Sequence, residues 1–182
     1  MTLHKKALAF LAAFALAVPV FAACGGSGGG EGGENGGEAP LVSFQDTAGK
    51  ITVSYPSTWQ KTSDQPLTFT GQDEFLSIEI RQGGSDLVAA AKADQAAVES
   101  VAPSFKLSGI VASKEVKNSA VMSYTWETPR STVTGKPVAE QADRYYIDLG
   151  DGRIAVLTGS APKANFDREQ IRDIALTLKV SK

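Results

Sequence analysis

The chain has 182 residues, with 18 basic and 20 acidic side chains, one histidine and one cysteine. From Leu41 to Lys182 the charges nearly balance, with 16 basic against 17 acidic residues and no basic block, so nucleic-acid binding has no electrostatic basis. One cysteine excludes an intrachain disulfide. The roughly 142 residues after Pro40 are enough for a single domain with its own core.

The first 23 residues have the order of charge and hydropathy that is typical of a secretory signal peptide. A positive start, "MTLHKK", precedes the apolar run "ALAFLAAFALAV" and the small-residue exit "PVFAA". A retained transmembrane anchor is the alternative, but the run from Ala7 to Ala23 contains Pro19 and is shorter than the about 20 residues that normally span a bilayer. We therefore expect residues 1–23 to direct export and to be cleaved.

The stretch "FAAC" ending at Cys24 resembles the lipobox of bacterial lipoproteins, although Phe21 replaces the usual Leu, Val or Ile. The resemblance implies that Cys24 becomes the first mature residue and carries a thioether-linked lipid. Several acyl chains anchor a protein more firmly than one. We expect Cys24 to hold the protein in membrane lipid on the outer face of the cytoplasmic membrane. Ordinary secretion with a free thiol is the alternative.

Residues 24–40 comprise Cys24 and a glycine-rich tract, "GGSGGGEGGENGGEAP". A tract of this composition is a flexible tether with a mean span of about 20–24 Å. Gly28, Gly30 and Gly33 match the spacing of the dinucleotide fingerprint, but no predicted strand precedes them and no predicted helix follows. We therefore assign residues 41–182 to the folded domain.

The domain alternates runs of short strands with two amphipathic helices, which predicts an α+β fold with one antiparallel sheet covered by helices. The predicted strands are 41–44, 51–56, 67–71, 74–82, 105–113, 120–127, 142–149 and 153–161, and the predicted helices are 85–101 and 165–178. The "GDG" at 150–152 predicts a tight hairpin. Alternation along the strand at 142–149 places Tyr145 and Tyr146 on opposite faces and predicts that one of them is exposed.

The first helix begins with Ser85, the predicted cap, and Asp86, which favours the positive end of the helix dipole. Its predicted apolar side is formed by residues at helical spacing, namely Leu87, Ala91, Val98 and Val101.

The second helix is capped in this scheme by Asn165 or Asp167, with Glu169 in its first turn. Its apolar face consists of Ile171, Ile174, Ala175 and Leu178.

The element "ITVSYPSTWQ" and the ending "AVLTGSAPKANFDREQIRDIALTLKV" resemble the PsbP/Mog1 superfamily. The motifs are structural: a Tyr-Pro-x-x-Trp turn and a terminal helix led by a proline. The resemblance covers most of Leu41–Lys182 and implies an antiparallel sheet between helices. It also implies a protein that binds partner proteins and is not an enzyme.

The residues themselves exclude several kinds of catalysis. The only histidine, His4, lies in the predicted signal peptide, and the only cysteine is expected to be acylated. Nucleophilic triads and zinc, iron or copper sites that need imidazole or thiolate are therefore not expected, and we predict no cofactor. Carboxylate-dependent hydrolysis is the remaining enzymatic alternative. Asp148 and Asp151 are weak candidates for calcium, although Asp151-Gly152 has a simpler role in forming the turn.

Four side chains are candidate contacts to a partner or ligand. Tyr55 and Trp59 flank the Pro-led turn, and the alternative to a contact role for them is packing in the core. Arg130 and Lys136 lie in a long loop, 128–137, and the alternative for them is a solvated loop without a partner. The leading hypothesis is a monomeric, membrane-anchored extracytoplasmic module that binds or assembles a membrane or envelope protein. The alternative is a lipoprotein that binds or delivers a small ligand in a pocket between sheet and helix.

Overall fold

The computed structural model describes residues 39–128 and 135–181. Within these residues the chain forms two helices and ten strands. The strands are β1 (Leu41–Asp46), β2 (Ile51–Pro56), β3 (Gln60–Asp64), β4 (Leu67–Thr70), β5 (Phe75–Gln82), β6 (Lys106–Ala112), β7 (Ser119–Thr128), β8 (Val138–Asp148), β9 (Arg153–Pro162) and β10 (Lys179–Val180). The helices are α1 (Leu87–Val101) and α2 (Arg168–Thr177). The predicted α+β class, an antiparallel sheet flanked by helices, is confirmed.

The strands are divided between two sheets, where the sequence predicted one. Seven strands pair in the order β3-β4-β5-β9-β8-β7-β6, and three pair in the order β1-β2-β10. Every pairing is antiparallel. The two strands that the sequence analysis missed are β3, whose residues are nearly all exposed, and β10, which has two residues. Neither has the apolar alternation that marks a strand in a sequence.

The predicted hairpin between β8 and β9 is confirmed. Gly150 and Gly152 have φ of 77° and 80°, a conformation that glycine adopts without the steric cost of a Cβ. The Asp148 carboxylate accepts a hydrogen bond from the Gly150 N–H at 2.8 Å, which fixes the start of the turn. Strand pairing resumes immediately, with Asp148 opposite Ile154.

One face of the large sheet is covered by α2 and the small sheet. The predicted apolar face of α2 is confirmed, since Ile171, Ile174, Ala175 and Leu178 are all buried. The helix approaches β9 closely: a Cβ added at Gly159 would lie 2.6 Å from Cγ2 of Ile171. Of the two predicted caps, Asp167 is the one used, and its side chain accepts from the N–H groups of Glu169 and Gln170.

The opposite face is covered by α1, which crosses β6, β7 and β8. Leu87 and Ala91 are buried as predicted, but two details of the prediction are wrong. Asp86, not Ser85, is the N-cap, and its carboxylate accepts from the Ala89 N–H at 2.9 Å. Val101 is 78% exposed because it is the last helical residue, where the chain turns into extended backbone.

The covering of both faces also corrects the prediction for the tyrosine pair. Tyr145 and Tyr146 do alternate between faces, but both are buried, at 4% and 0% exposure. Tyr145 packs in the cluster beneath α2, and Tyr146 packs in the cluster beneath α1. A central strand between two layers has no solvent-facing side at this point.

Candidate interaction surfaces

The Tyr-Pro-x-x-Trp element forms a turn that directs its aromatic residues inward. The backbone N–H of Trp59 donates to the Pro56 carbonyl at 2.9 Å, and the chain enters β3 directly afterwards. The ring centroids of Tyr55 and Phe69 lie 4.2 Å apart, and Trp59 is only 5% exposed. Both candidate contact residues therefore contribute to the core, and only an edge of Trp59 lines a surface cleft.

That cleft, called here the Trp59 cleft, lies between the end of the large sheet and α2. It has a volume of about 590 Å³ and is lined by Thr58, Trp59, Gln60, Thr70, Gly71, Gln72, Glu74 and Gln170. Its floor is the tight β4–β5 turn, in which the Gly71 N–H donates to the Glu74 carbonyl at 2.9 Å. A Cβ at Gly71 would lie 2.6 Å from Nε1 of Trp59 and would also collide with Oε2 of Glu74. Glycine is required here because an indole and a carboxylate converge on its Cα.

A second surface, called here the apolar corner, is formed by Phe105, Leu107 and Trp126, together with Val101 at the end of α1, where the Phe105 N–H donates to the Ala102 carbonyl at 3.2 Å. Val101 and Leu107 are 78% and 40% exposed, and the two aromatic residues are half-buried. The Tyr124 ring joins the aromatic residues, since its centroid lies 5.3 Å from that of Phe105 and 5.5 Å from that of Trp126. Leu107 lies directly opposite Tyr124 in the pairing of β6 with β7.

The long loop between β7 and β8 leaves the sheet at the apolar corner. It follows Thr128, two residues after Trp126, and the chain returns at Val138, opposite Thr128. Lys136 is exposed in this loop. The other predicted contact in the loop, Arg130, lies outside the described residues, as does the predicted lipidation site Cys24.

The largest polar network of the described residues fastens α1 to the sheet through Asp94. Arg81 of β5 contacts this carboxylate with two hydrogen bonds, of 3.1 and 2.6 Å. Arg144 and the Tyr146 hydroxyl, both from β8, donate to its Oδ2 at 3.3 and 3.0 Å. Sequence reasoning missed this network because the partners of Asp94 lie as far as 52 positions from it in the chain.

The ionisation of the Asp94 network follows from its burial and its charges. Burial alone would raise the pKa of Asp94, but hydrogen bonds and charges from Arg81, Tyr146 and Arg144 together lower it below its usual value. Burial raises the pKa of Tyr146 to about 12, and the neighbouring Asp94 carboxylate acts in the same direction. The network is therefore ionised as an arginine-carboxylate group with a neutral tyrosine at physiological pH.

The two weak metal candidates have local partners. Asp148 accepts from the Gly150 N–H, and Asp151 forms an ion pair with Arg153 at 2.7 Å. Across residues 39–128 and 135–181, no three His, Cys, Asp or Glu side chains come together in a way that would hold a metal ion. The same residues include no helix of the length and apolarity needed to cross a membrane.

Comparison with known proteins identifies the fold. Solved structures that match include the cyanobacterial PsbP protein of Synechocystis, with 18% identity, a TM-score of 0.51, and 83% of this chain and 98% of that chain covered. The Ran-binding protein Mog1p of Saccharomyces cerevisiae matches with 10% identity, a TM-score of 0.53, and coverage of 78% and 96%. A protein from Bacteroides thetaiotaomicron matches with 13% identity and a TM-score of 0.52 over 77% of this chain, but this chain spans only about half (48%) of it.

These likenesses establish that the chain has a PsbP/Mog1-like fold. No protein-family model matches the sequence, and no curated protein matches it either. At identities of 10–18% the likeness shows the fold alone, so the functional residues are inferred from the contacts within this chain.

Proposed function

We propose that the protein is a membrane-tethered, extracytoplasmic and non-enzymatic module that binds or assembles a partner protein. The apolar corner is the observation that carries this proposal. Exposed apolar patches with half-buried aromatic residues are characteristic of protein-protein contact sites, where a few aromatic anchors supply most of the binding energy. Phe105 and Trp126 would be the anchors, surrounded by Val101 and Leu107.

The location of the corner supports the same function. It lies where the chain leaves β7 for the loop that contains Arg130 and Lys136, the predicted polar contacts. Lys136, which is exposed in this loop, would belong to the polar rim that usually surrounds the apolar centre of such an interface. Among proteins of this fold, Mog1p is described as Ran-binding, which is consistent with a scaffold that presents a surface to another protein.

Anchoring defines where the module would act. The signal-peptide pattern, the lipobox-like "FAAC" at Cys24 and the glycine-rich residues 25–40 support a domain held by lipid on the outer face of the cytoplasmic membrane. A tether of this length raises the effective concentration of the domain near membrane partners without fixing its orientation. The expected partner is a membrane or envelope protein with a complementary apolar surface.

Photo-crosslinking in intact membranes tests the proposal. A photoreactive amino acid at position 107 should give a discrete heteromeric adduct. The same amino acid at position 176 should give none, since Leu176 is a comparably exposed apolar residue (53%) on α2. Absence of an adduct from position 107, or the same adducts from both positions, would reject the apolar corner as the binding surface.

A further inference from the structure

Strand β6 forms one edge of the large sheet, and in the part of the chain that the structure describes no further strand pairs with it. Residues 107–113 carry no charged side chain, and Val111 among them is 58% exposed. The opposite edge strand, β3, differs, because it contains the ion pair of Lys61 with Asp64 and a shifted register after Lys61. Charges and bulges protect a sheet edge from pairing with another strand, so β3 is protected and this part of β6 is not.

The pairing of β6 with β7 shows which backbone groups of β6 point outward. In an antiparallel pair, residues alternate between those that exchange hydrogen bonds with the partner strand and those whose N–H and C=O face away from it. The Ser113 N–H donates to the Ser119 carbonyl at 2.9 Å, and the register is regular back to Gly109. Ala112 and Ile110 therefore direct their N–H and C=O to the open edge, where none of the described residues bonds to them.

This stretch of β6 is complementary to itself. A second copy that approaches antiparallel, with a two-fold axis through Val111, lies with its Ala112 opposite Ile110 of the first copy. The outward N–H of each of these residues then donates to the outward C=O of the other, and the axis repeats both bonds on its other side. The faces agree as well. Ile110 and Ala112 lie on the face that α1 covers, since their β7 neighbours belong to the cluster beneath α1, and Val111 lies on the other face in both copies.

We propose that two copies of the chain associate through β6 and extend their large sheets into one continuous antiparallel sheet. At the axis Val111 faces its own counterpart in a non-hydrogen-bonded pair, with the two Cα atoms about 4.5 Å apart, and the contact covers two exposed apolar side chains. Because residues 107–113 are uncharged, no like charges meet across the axis. This dimer differs from the monomer expected from the sequence and does not depend on a protein partner at the apolar corner.

The proposed dimer is held by one strand from each copy, and small interfaces belong to weak and reversible complexes. Confinement shifts this balance, because chains tethered to one membrane have a higher effective concentration for each other than they have in solution. The dimer should therefore form on the membrane. This enhancement rests on the lipid anchor proposed above, whereas the pairing itself rests on β6 alone.

Disulfide trapping in intact membranes tests the pairing. The native cysteine, Cys24, is the expected lipid attachment site, so the wild type is the background against which a new thiol is compared. Two Cα atoms about 4.5 Å apart lie within the range of about 4.4–6.8 Å that a disulfide bridges. With copper phenanthroline as the oxidant, full-length Val111→Cys should therefore form a covalent homodimer that the wild type does not form.

Two other positions serve as matched controls for the homodimer. Leu176→Cys is a comparably exposed position (53%) on α2, away from the proposed axis. Lys106→Cys lies at the start of the same strand, and the axis through Val111 separates its two copies by about 33 Å. Both variants should form the homodimer at least tenfold more slowly than Val111→Cys.

A substitution at Ala112 tests the backbone hydrogen bonds in the Val111→Cys background. Ala112→Pro removes an outward N–H that makes no bond to β7, and proline in that position is compatible with an edge strand. It should slow formation of the homodimer about tenfold, because each dimer loses two backbone hydrogen bonds, one from each copy. Ala112→Ser keeps the N–H and should crosslink as fast as its parent.

Circular dichroism checks that each variant is folded, and if Ala112→Pro does not fold, the comparison of positions 111, 106 and 176 decides the question. The proposal is overturned if Val111→Cys forms the homodimer no faster than Leu176→Cys, or if a folded Ala112→Pro leaves the rate unchanged. A mixed disulfide between position 111 and another protein, in place of the homodimer, also overturns it and assigns the β6 edge to a strand of that protein.

Discussion

Replacing Asp94 with asparagine should destabilise the domain, because this carboxylate is the shared partner of Arg81, Arg144 and Tyr146. The side chains of Asp94, Arg81 and Arg144 are 21%, 31% and 19% exposed, so the network is neither at the surface nor fully desolvated. Breaking a fully buried ion pair costs about 3–5 kcal/mol, and breaking an exposed one costs about 0–1 kcal/mol. With this intermediate burial we expect Asp94→Asn to cost about 2–3 kcal/mol.

The stability that is lost on replacing Asp94 with asparagine should depend on pH in a defined direction. The pKa of Asp94 is lower in the folded chain than its ordinary value, so its stabilising effect is fully present above the unfolded pKa of about 3.9 and disappears as the pH falls through the folded value. The difference in unfolding free energy between wild type and Asp94→Asn should therefore be constant near pH 7. It should shrink below about pH 4.

Urea unfolding followed by circular dichroism measures both effects. The control is Asp173→Asn, which removes an α2 carboxylate that is 50% exposed beside Arg172 and should change stability by less than about 0.5 kcal/mol. Equal small effects of the two substitutions would refute the view that Asp94 fastens α1 to the sheet. So would an Asp94→Asn difference that persists unchanged into acid.

Three further predictions concern single residues. Gly159→Ala should lower the unfolding free energy by about 1–3 kcal/mol, measured by urea titration, because the added methyl group collides with a buried isoleucine of α2. Gly109→Ala, which meets nothing within 4 Å, should cost far less, and equal losses would contradict the close packing of α2 on β9. In thermal unfolding, Asp86→Ala should lower the unfolding free energy by about 0.5–2 kcal/mol because it removes an N-cap, and Ser85→Ala should have little effect. A larger loss in Ser85→Ala than in Asp86→Ala would show that Ser85 is the cap. Radioactive palmitate should label the wild type and not Cys24→Ala, and label that persists in the variant would overturn the lipid anchor.

The elements that the sequence predicted well are those whose local pattern agrees with their final environment. The four apolar positions predicted for the second helix recur at helical spacing and all are buried, three of them within α2 and Leu178 as its C-cap. The "GDG" hairpin requires the positive φ that glycine supplies at positions 150 and 152. Strand β3, "QKTSD", is an exposed edge strand, so it carries no apolar signal and was missed.

The candidate sites were harder to predict because distant segments assemble them. The Trp59 cleft combines the β2–β3 turn, the β4–β5 turn and the first turn of α2, and glutamines and threonines form no recognisable motif. The exposure of Val101 could not be read from its helical spacing, since it depends on where α1 ends relative to the sheet. Trp59 is a candidate contact from the sequence, but Gly71 and Glu74, which line the same cleft, are not.

The most direct test of the central proposal is recovery of the partner from intact membranes after chemical crosslinking. Three proteins are compared: wild type, the double variant Val101→Ser/Leu107→Ser, and Cys24→Ala. We expect one membrane or envelope protein to be recovered with the wild type. It should be lost with the double variant, although that variant is still folded and anchored. Its recovery should be reduced with Cys24→Ala, because the effective concentration of the domain near the membrane falls. Equal recovery with the double variant, or no partner with the wild type, would contradict a protein-binding function for the apolar corner.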